Sequence, residues 1–296
     1  MTLDNLKMFP ENRVKSLFGL QPDVLAQVII KVLPVLEQNR EERLRNAPDR
    51  KRRFIKGDGR PPEMKPIHKL LMTLLYLRHH TSATVVGQIF GFSADSVEKN
   101  ALPEVLPVLK ELFPAARWEA TQRHRNEKWN PDSVDKIIVD SFETPIPRPS
   151  VNERQKRVYS GKKKCHTLKS QLLTDQRGRI LAVSSGHRGP KSDVKIWNET
   201  SLPDAIKEKP KIGDNAYIGA EKPTQIPKKK PKGGELNEEE KAENRRISQE
   251  RIVVEHGIRK VKGYRVTRDE YRLAQGIFPT VVSVVVGLIQ FSDLMN

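Results

Sequence analysis

The spacing of apolar residues changes once along this chain, from a helical rhythm to an alternating one. Leu17, Phe18 and Leu20 precede a Pro22-Asp23 helix start, and Val24, Val28, Ile29 and Val32 recur at helical spacing. Residues 1–35 are therefore expected to form short helices. Pro66 opens a strongly apolar helix with Ile67, Leu70, Leu71, Leu74, Leu75 and Leu77. Ser82 can cap a second helix carrying Val85, Val86, Ile89 and Phe90. Gly91-Phe92 then makes a tight turn, and Ser93 caps a third helix containing Val97. Residues 102–113 supply one more amphipathic helix with Leu106, Leu109 and Leu112. Helix, glycine turn and capped helix is the pattern of a helix-turn-helix, which three-helix bundles with no DNA role share.

The rhythm shortens after residue 136. Ile137, Ile138 and Val139 form a β-branched run that breaks onto Asp140, and Pro145, Pro147 and Pro149 prevent its continuation as a central strand. Tyr159-Ser-Gly161 leads through three lysines into a strand reaching Leu173. Asp175-Gln-Arg-Gly178 is the next turn, and residues 180–183 are a third strand, giving a meander with a basic hairpin tip. Asp193 opens a short helix through Trp197 as its expected cap, and Asp214 falls at another strand end. Asn237, with Glu240 closing a capping box, starts the longest helix, expected to run to Lys262 and stop at Gly263. Its buried stripe is Ile247, Val254, Ile258 and Val261, with Arg251, Glu255 and Lys262 on the flank. The apolar run over residues 277–291 is short for a membrane span, carries Thr280, Ser283 and Gln290, and reads as a buried helix or strand.

Charge adds a partner to this picture. The 296 residues carry a formal charge of +17, which points to a polyanion, nucleic acid first. The excess clusters over residues 40–60, read as a loop or arm that orders on phosphates, with Arg50, Lys51, Arg52 and Arg53 at its centre. Lys162, Lys163 and Lys164 at the hairpin tip, and Lys99 on the third helix, are further candidate DNA contacts. A second flexible basic stretch spans residues 227–234. The single cysteine, Cys165, excludes an internal disulfide and a cysteine-based zinc site. The N-terminus lacks the basic-then-apolar order of a signal peptide, so a cytoplasmic protein with no membrane partner is expected. The domain reading is residues 1–60 as helices and basic arm, 61–120 as helix-turn-helix, and 130–296 as catalytic domain.

The candidate chemistry is carboxylate chemistry. Any one strand-end acid ordinarily caps a turn. Two strand-end aspartates, Asp140 and Asp214, followed by Glu255 on a helix packed on the sheet, form the order of a ribonuclease-H-like nuclease site. Three such carboxylates can hold two Mg²⁺ ions about 4 Å apart, one activating the attacking oxygen and one stabilising the leaving oxygen. The expected fold is accordingly mixed α+β or α/β: an all-helical DNA-binding region, then a ribonuclease-H-like domain. No glycine-rich phosphate loop is present, since Gly57-Asp-Gly59 lacks the lysine and hydroxyl that follow in a P-loop.

With these residues in view, the segment from Val139 to Lys262 resembles the catalytic region of DDE transposases of bacterial insertion sequences, of the IS5 type within the IS4-like group. The similarity lies in the Val-Asp140-Ser strand end with Pro-Ile-Pro-Arg-Pro, Tyr159-Ser-Gly-Lys-Lys-Lys-x-His-Thr-x-Lys169, Gly213-Asp214-x-x-Tyr-x-Gly219, and Arg251-x-x-x-Glu255 with Lys262 beyond. Ser248 stands where the group's signature has a tyrosine, which removes any tyrosine contact to DNA but not the metal site. The resemblance implies a dimeric recombinase that binds terminal inverted repeats, cuts the element ends and joins the 3′-hydroxyls to target DNA. Asp140, Asp214 and Glu255 would be metal ligands for Mg²⁺, with Mn²⁺ able to substitute, and Arg251 and Lys262 would hold phosphates. Two other readings stay open: a DNA-binding regulator that keeps a nuclease-like scaffold, and a nuclease that hydrolyses without joining.

Overall fold

The computed structural model describes residues 10–46, 63–115, 131–222 and 224–295. The chain divides into two units, one of residues 1–113 with 264–266, the other of residues 114–263 with 267–294. Arg50, Lys51, Arg52 and Arg53 lie outside the described residues.

The first unit is helical: α1 (Glu11–Phe18), α2 (Pro22–Arg45), α3 (Pro66–His79), α4 (Ala83–Phe90) and α5 (Leu102–Leu112). The apolar helix α3 is central, packing against α1, α2, α4 and α5 and burying Leu70, Leu71, Leu74 and Leu77 completely. Two expectations need correction. The change of composition at Arg40 does not end a helix. α2 runs on to Arg45, because Glu37, Glu41 and Glu104 pair with Arg40, Arg45 and Arg43 and neutralise the cations in place. Nor are the third and fourth helices separate. After the Gly91 turn (φ 79°) and the Ser93 cap, a π-helical stretch, Ser96–Ala101, passes directly into α5. Pro103 has no N–H, and its ring would meet the Lys99 carbonyl in a regular α-turn, so the preceding turn widens.

In the second unit a five-stranded sheet is built from β1 (Ile137–Pro145), β2 (Tyr159–Ser160), β3 (Cys165–Asp175), β4 (Ile180–Arg188) and β5 (Lys211–Ile212). β3 pairs antiparallel with β1 on one side and β4 on the other, while β5 is parallel to β1. The expected meander is therefore present. Its first connection also carries a helix that the pattern left unread, α6 (Asn152–Val158). The remaining helices are α7 (Asp193–Glu199), α8 (Asp204–Lys207), α9 (Glu238–Lys262) and α10 (Phe278–Met295).

The period-2 alternation of β1 and β3 decides which residues can meet. Val139 and Leu173 are cross-strand partners and join one apolar cluster with Trp197 of α7 and Tyr217. One residue along, Asp140 and Leu172 are partners and face the other way, where Leu172 packs against α9. The Asn237–Glu240 capping box forms as expected. The buried stripe of α9 is Ile247, Val254, Gly257 and Val261, with Ile258 only half-buried. Gly257 lets the helix approach β3, since a Cβ there would stand 3.0 Å from Leu172 Cδ2. Gly257→Val should lift α9 from the sheet and cost about 1–3 kcal/mol of stability, read as a lower urea midpoint at unchanged m-value.

Residues 275–295 form a helix long and apolar enough to cross a membrane by length and composition. Its residues from Val281 to Ile289 are buried within the protein, as core helices are.

Candidate active site

Asp140 is expected at a strand end, but β1 stays paired with β3 as far as Pro145 and buries Phe142 beyond it, so Asp140 sits in mid-strand and a rigid core strand presents its side chain on the α9 face. One carboxylate oxygen accepts from the Ser141 N–H at 2.7 Å, and the other accepts from Arg251 Nη2 at 3.1 Å. Burial pushes the Asp140 carboxyl above its ordinary range. The Ser141 N–H and Arg251 oppose that shift, and the nearby Asp214 and Glu255 carboxylates reinforce it. Arg251 projects from α9, and the same Nη2 lies 3.9 Å from Glu255 one turn on. Its guanidinium thus stands between two of the three acids, while its buried Nε has no hydrogen-bond partner. Glu255 is half-exposed, with its side chain at 52%, rather than set at the core edge.

Asp214 follows β5 and caps a 3₁₀ turn, Asn215–Tyr217, accepting from Ala216 N–H at 2.8 Å. It fills the turn role common to such aspartates and also acts on Asp140 electrostatically. Lys262 lies further along α9, its ammonium 5.8 Å from the Phe142 ring centre. Burial lowers its pKa, Lys163 lowers it further, and Asp140 and Glu143 act the other way. Lys262 and Lys163 therefore share a field with Asp140. Lys162 and Lys164 are exposed on the same turn, Lys164 with φ 56°. Lys99 belongs to the other unit and pairs with Asp95 at 2.8 Å.

The opposite face of the sheet holds a network that the sequence pattern left unassigned. Ser141 and Gln171 are cross-strand partners, and both reach Asp193: Ser141 Oγ donates to its carboxylate at 2.7 Å and Gln171 Nε2 to its carbonyl at 3.2 Å. Lys169 pairs with the same carboxylate at 2.9 Å. Asp193 is therefore not the helix cap expected of it. Ser192 occupies the cap position, and Asp193 is turned inward as the counter-ion of a buried lysine. Gln171 also donates to the Tyr217 hydroxyl at 3.2 Å. Burial pushes the Tyr217 hydroxyl far up, reinforced by Asp140, Asp193 and Asp214, so it stays protonated. The signal for this network was the alternation itself, which puts residues 141, 169 and 171 on the face away from Asp140.

Residues 139–290, just over half of the chain, match the family of DDE superfamily endonucleases. The chain belongs to the DDE endonuclease superfamily. It is also 28% identical over 240 residues, 80% of its length and 84% of the relative's, to a probable transposase for insertion sequence element IS702 from Microchaete diplosiphon. No solved structure gives a significant match. Endonucleases of the DDE superfamily depend on divalent metal ions.

The acids of this DDE chain suit such an ion. All donors are carboxylate oxygens, the preference of a hard cation, and a cationic guanidinium already stands between Asp140 and Glu255. As the side chains lie, no group of three His, Cys, Asp or Glu among the described residues is gathered closely enough to hold a metal. Arg251 fills the space between two acids, and the half-exposed Glu255 is the member with room to turn.

A stability prediction follows from Asp140. Its folded pKa is raised, so its contribution to stability is fully present below the ordinary carboxylate range and is lost as pH rises through its own higher value. Asp140→Asn should therefore raise the metal-free melting temperature at pH 7, with the gain vanishing in acid. Divalent metal should stabilise the wild type and leave Asp140→Asn unmoved. Melting curves at pH 4 and pH 7, with and without metal, read both effects.

Proposed function

We propose that the chain is the transposase of a bacterial insertion sequence of the IS5 type, cutting DNA at the element's terminal inverted repeats and joining the ends to target DNA. The observation that carries this reading is the α9 face of the sheet. There Asp140, Arg251 and Glu255 meet, with Asp214 at the neighbouring strand end. The strand order β4-β3-β1-β5, three antiparallel strands and a fourth parallel to the first, supports a ribonuclease-H-like reading of the domain. Similarity to the probable IS702 transposase supports transposition over simple hydrolysis.

Asp140, Asp214 and Glu255 would hold Mg²⁺, or Mn²⁺ in its place. The metal supplies an activated attacking oxygen and stabilises the leaving one. The chain's own residues position the DNA. Arg251 offers a planar guanidinium fork suited to a phosphate. Lys262 and Lys163 place two more cations near Asp140. In the helical unit, α4, the Gly91 turn and the capped rod after it support a helix-turn-helix, used in end recognition. Because Lys99 is already paired with Asp95, it contributes little to that surface. A dimer acting in the cytoplasm on the nucleoid completes the reading.

The test uses duplexes carrying the sequences that bracket the gene, with Mg²⁺ and a supercoiled plasmid. Cleavage at the repeat boundary followed by joining to the plasmid is the expected result. Cleavage without any joining would leave a hydrolytic nuclease instead. Binding without cleavage would leave a regulator.

A further inference from the structure

Beside α7, on the side of the second unit away from Arg251, lies an open cleft of about 720 Å³ lined by Arg157, His187, Arg188, Lys191, Lys195 and Glu199 among others. It holds four lysine and arginine cations and one carboxylate. Lys191 pairs with Glu199, so the carboxylate is spent on one of the four. Arg157, Arg188 and Lys195 are exposed and make no ion pair or side-chain hydrogen bond among the described residues. Burial lowers the pKa of His187, so it adds no charge at neutral pH.

A surface charge run is ordinarily a solvated face, but this one is concave and its wall is fixed. Gly189 N–H donates to the Thr167 carbonyl at 3.0 Å, and a Cβ at Gly189 would come within 2.0 Å of Thr167 Oγ1. Lys169 Nζ donates to the Lys191 carbonyl at 2.7 Å while paired with Asp193. The loop is thus tied to β3 from beneath, which fixes the backbone that carries Arg188 and Lys191.

We propose that this cleft binds the sugar–phosphate backbone of a second duplex, the target DNA, an inference that rests on the transposase reading. The alternation of β1 and β3 supplies the reason. Arg251, Lys262 and Asp140 act on the α9 face, whereas Lys169 and Asp193 anchor the cleft's loop to the other face of the same strands. Cations on opposite faces of one sheet serve separate stretches of DNA. Joining requires that a second duplex reach Asp140 in the middle of β1, and Arg188 stands opposite Leu168, four residues along β3 from Leu172, the partner of Asp140. The spread of unneutralised cations fits a backbone read without regard to sequence.

The test replaces Arg157, Arg188 and Lys195 together by glutamate and, in a milder variant, by glutamine. Wild type and variants are given a duplex carrying the bracketing sequence, a pre-cut version with its 3′-hydroxyl exposed, and a supercoiled plasmid. End cleavage is expected within about twofold of wild type. Joining should fall at least tenfold and recover as plasmid concentration rises. The slope of log affinity against log salt for a plain duplex of about 30 base pairs should flatten by about 2 to 3, near 0.9 for each phosphate that is no longer neutralised. Unchanged joining and slope would overturn the inference, and so would cleavage and joining falling together. Melting curves guard against misfolding, and the glutamine variant carries the same comparison if the glutamate one does not fold. If wild type cuts but never joins, the transposase reading fails by itself, while the salt slope still reports whether the cleft holds DNA.

Discussion

Asp140→Ala, Asp214→Ala and Glu255→Ala should each lower end cleavage by about a thousandfold or more while leaving DNA affinity unchanged or slightly tighter. A metal held by these acids would contribute several kcal/mol of transition-state stabilisation, and each ~1.36 kcal/mol is a factor of ten in rate. Affinity rests instead on lysines and arginines, and removing an acid beside a phosphate takes away repulsion. Asp214 needs a second variant, because its carboxylate also caps the 3₁₀ turn at Ala216. Losing that cap costs about 1 kcal/mol of local stability. Asp214→Asn keeps an acceptor for Ala216 N–H and should still be inactive, which separates ligation from folding. Single-turnover cleavage of a pre-bound end, with fluorescence anisotropy for affinity, makes the measurement. A variant that cuts at the wild-type rate loses its place in the triad.

The next largest effect is expected at Arg251. Its Nη2 bonds Asp140 and approaches Glu255, and its Nε is buried with nothing to donate to. Arg251→Ala would leave the buried Asp140 carboxylate without its nearest cation, and a hydrogen bond to a charged group is worth about 1.5–3 kcal/mol. Cleavage should fall roughly tenfold to a hundredfold, chiefly in kcat. Arg251→Lys should recover little, because an ammonium cannot present a planar fork to a phosphate while also holding a carboxylate. Lys262→Ala should do less harm and act mainly through KM, as expected of a cation that positions DNA. Full recovery by Arg251→Lys would show that charge alone suffices and would remove the geometric argument for that helix face.

The sequence made some of this legible and hid the rest for identifiable reasons. Strong local signals were readable: the Asn237–Glu240 capping box, the Gly91 turn, and the β-branched run into Asp140. Cross-chain compensation was not. Arg43 is neutralised by Glu104, far along the chain, so residues 40–45, which read as the start of an arm, continue a helix. The π-helical stretch before Pro103 follows from a missing donor, whose local consequence composition does not register. Gly257 contributes by having no side chain, so a search for apolar stripes passes over it and selects Ile258. At the site, motif order brought forward Asp140, Asp214 and Glu255. The Lys169–Asp193 pair escaped because it depends on β3 lying beside β1 in one register. A slip of one residue would turn Lys169 to the side of Arg251 and leave Asp193 without its cation.

The last helix carries a genetic consequence. α10 supplies Val281, Val282, Val284, Val285, Val286 and Leu288 to the core, all fully buried, and Gln290 bonds the Ile180 carbonyl at the head of β4. Asp140, Asp214 and Glu255 all precede it. A frameshift or stop codon between residues 263 and 277 would leave every one of those acids encoded, yet the product would lack the helix that closes the interior of its nuclease domain. A mobile element would be silenced by a lesion well downstream of the three acids proposed to hold its metal. A copy scored as intact because its three acids are readable would then be inert.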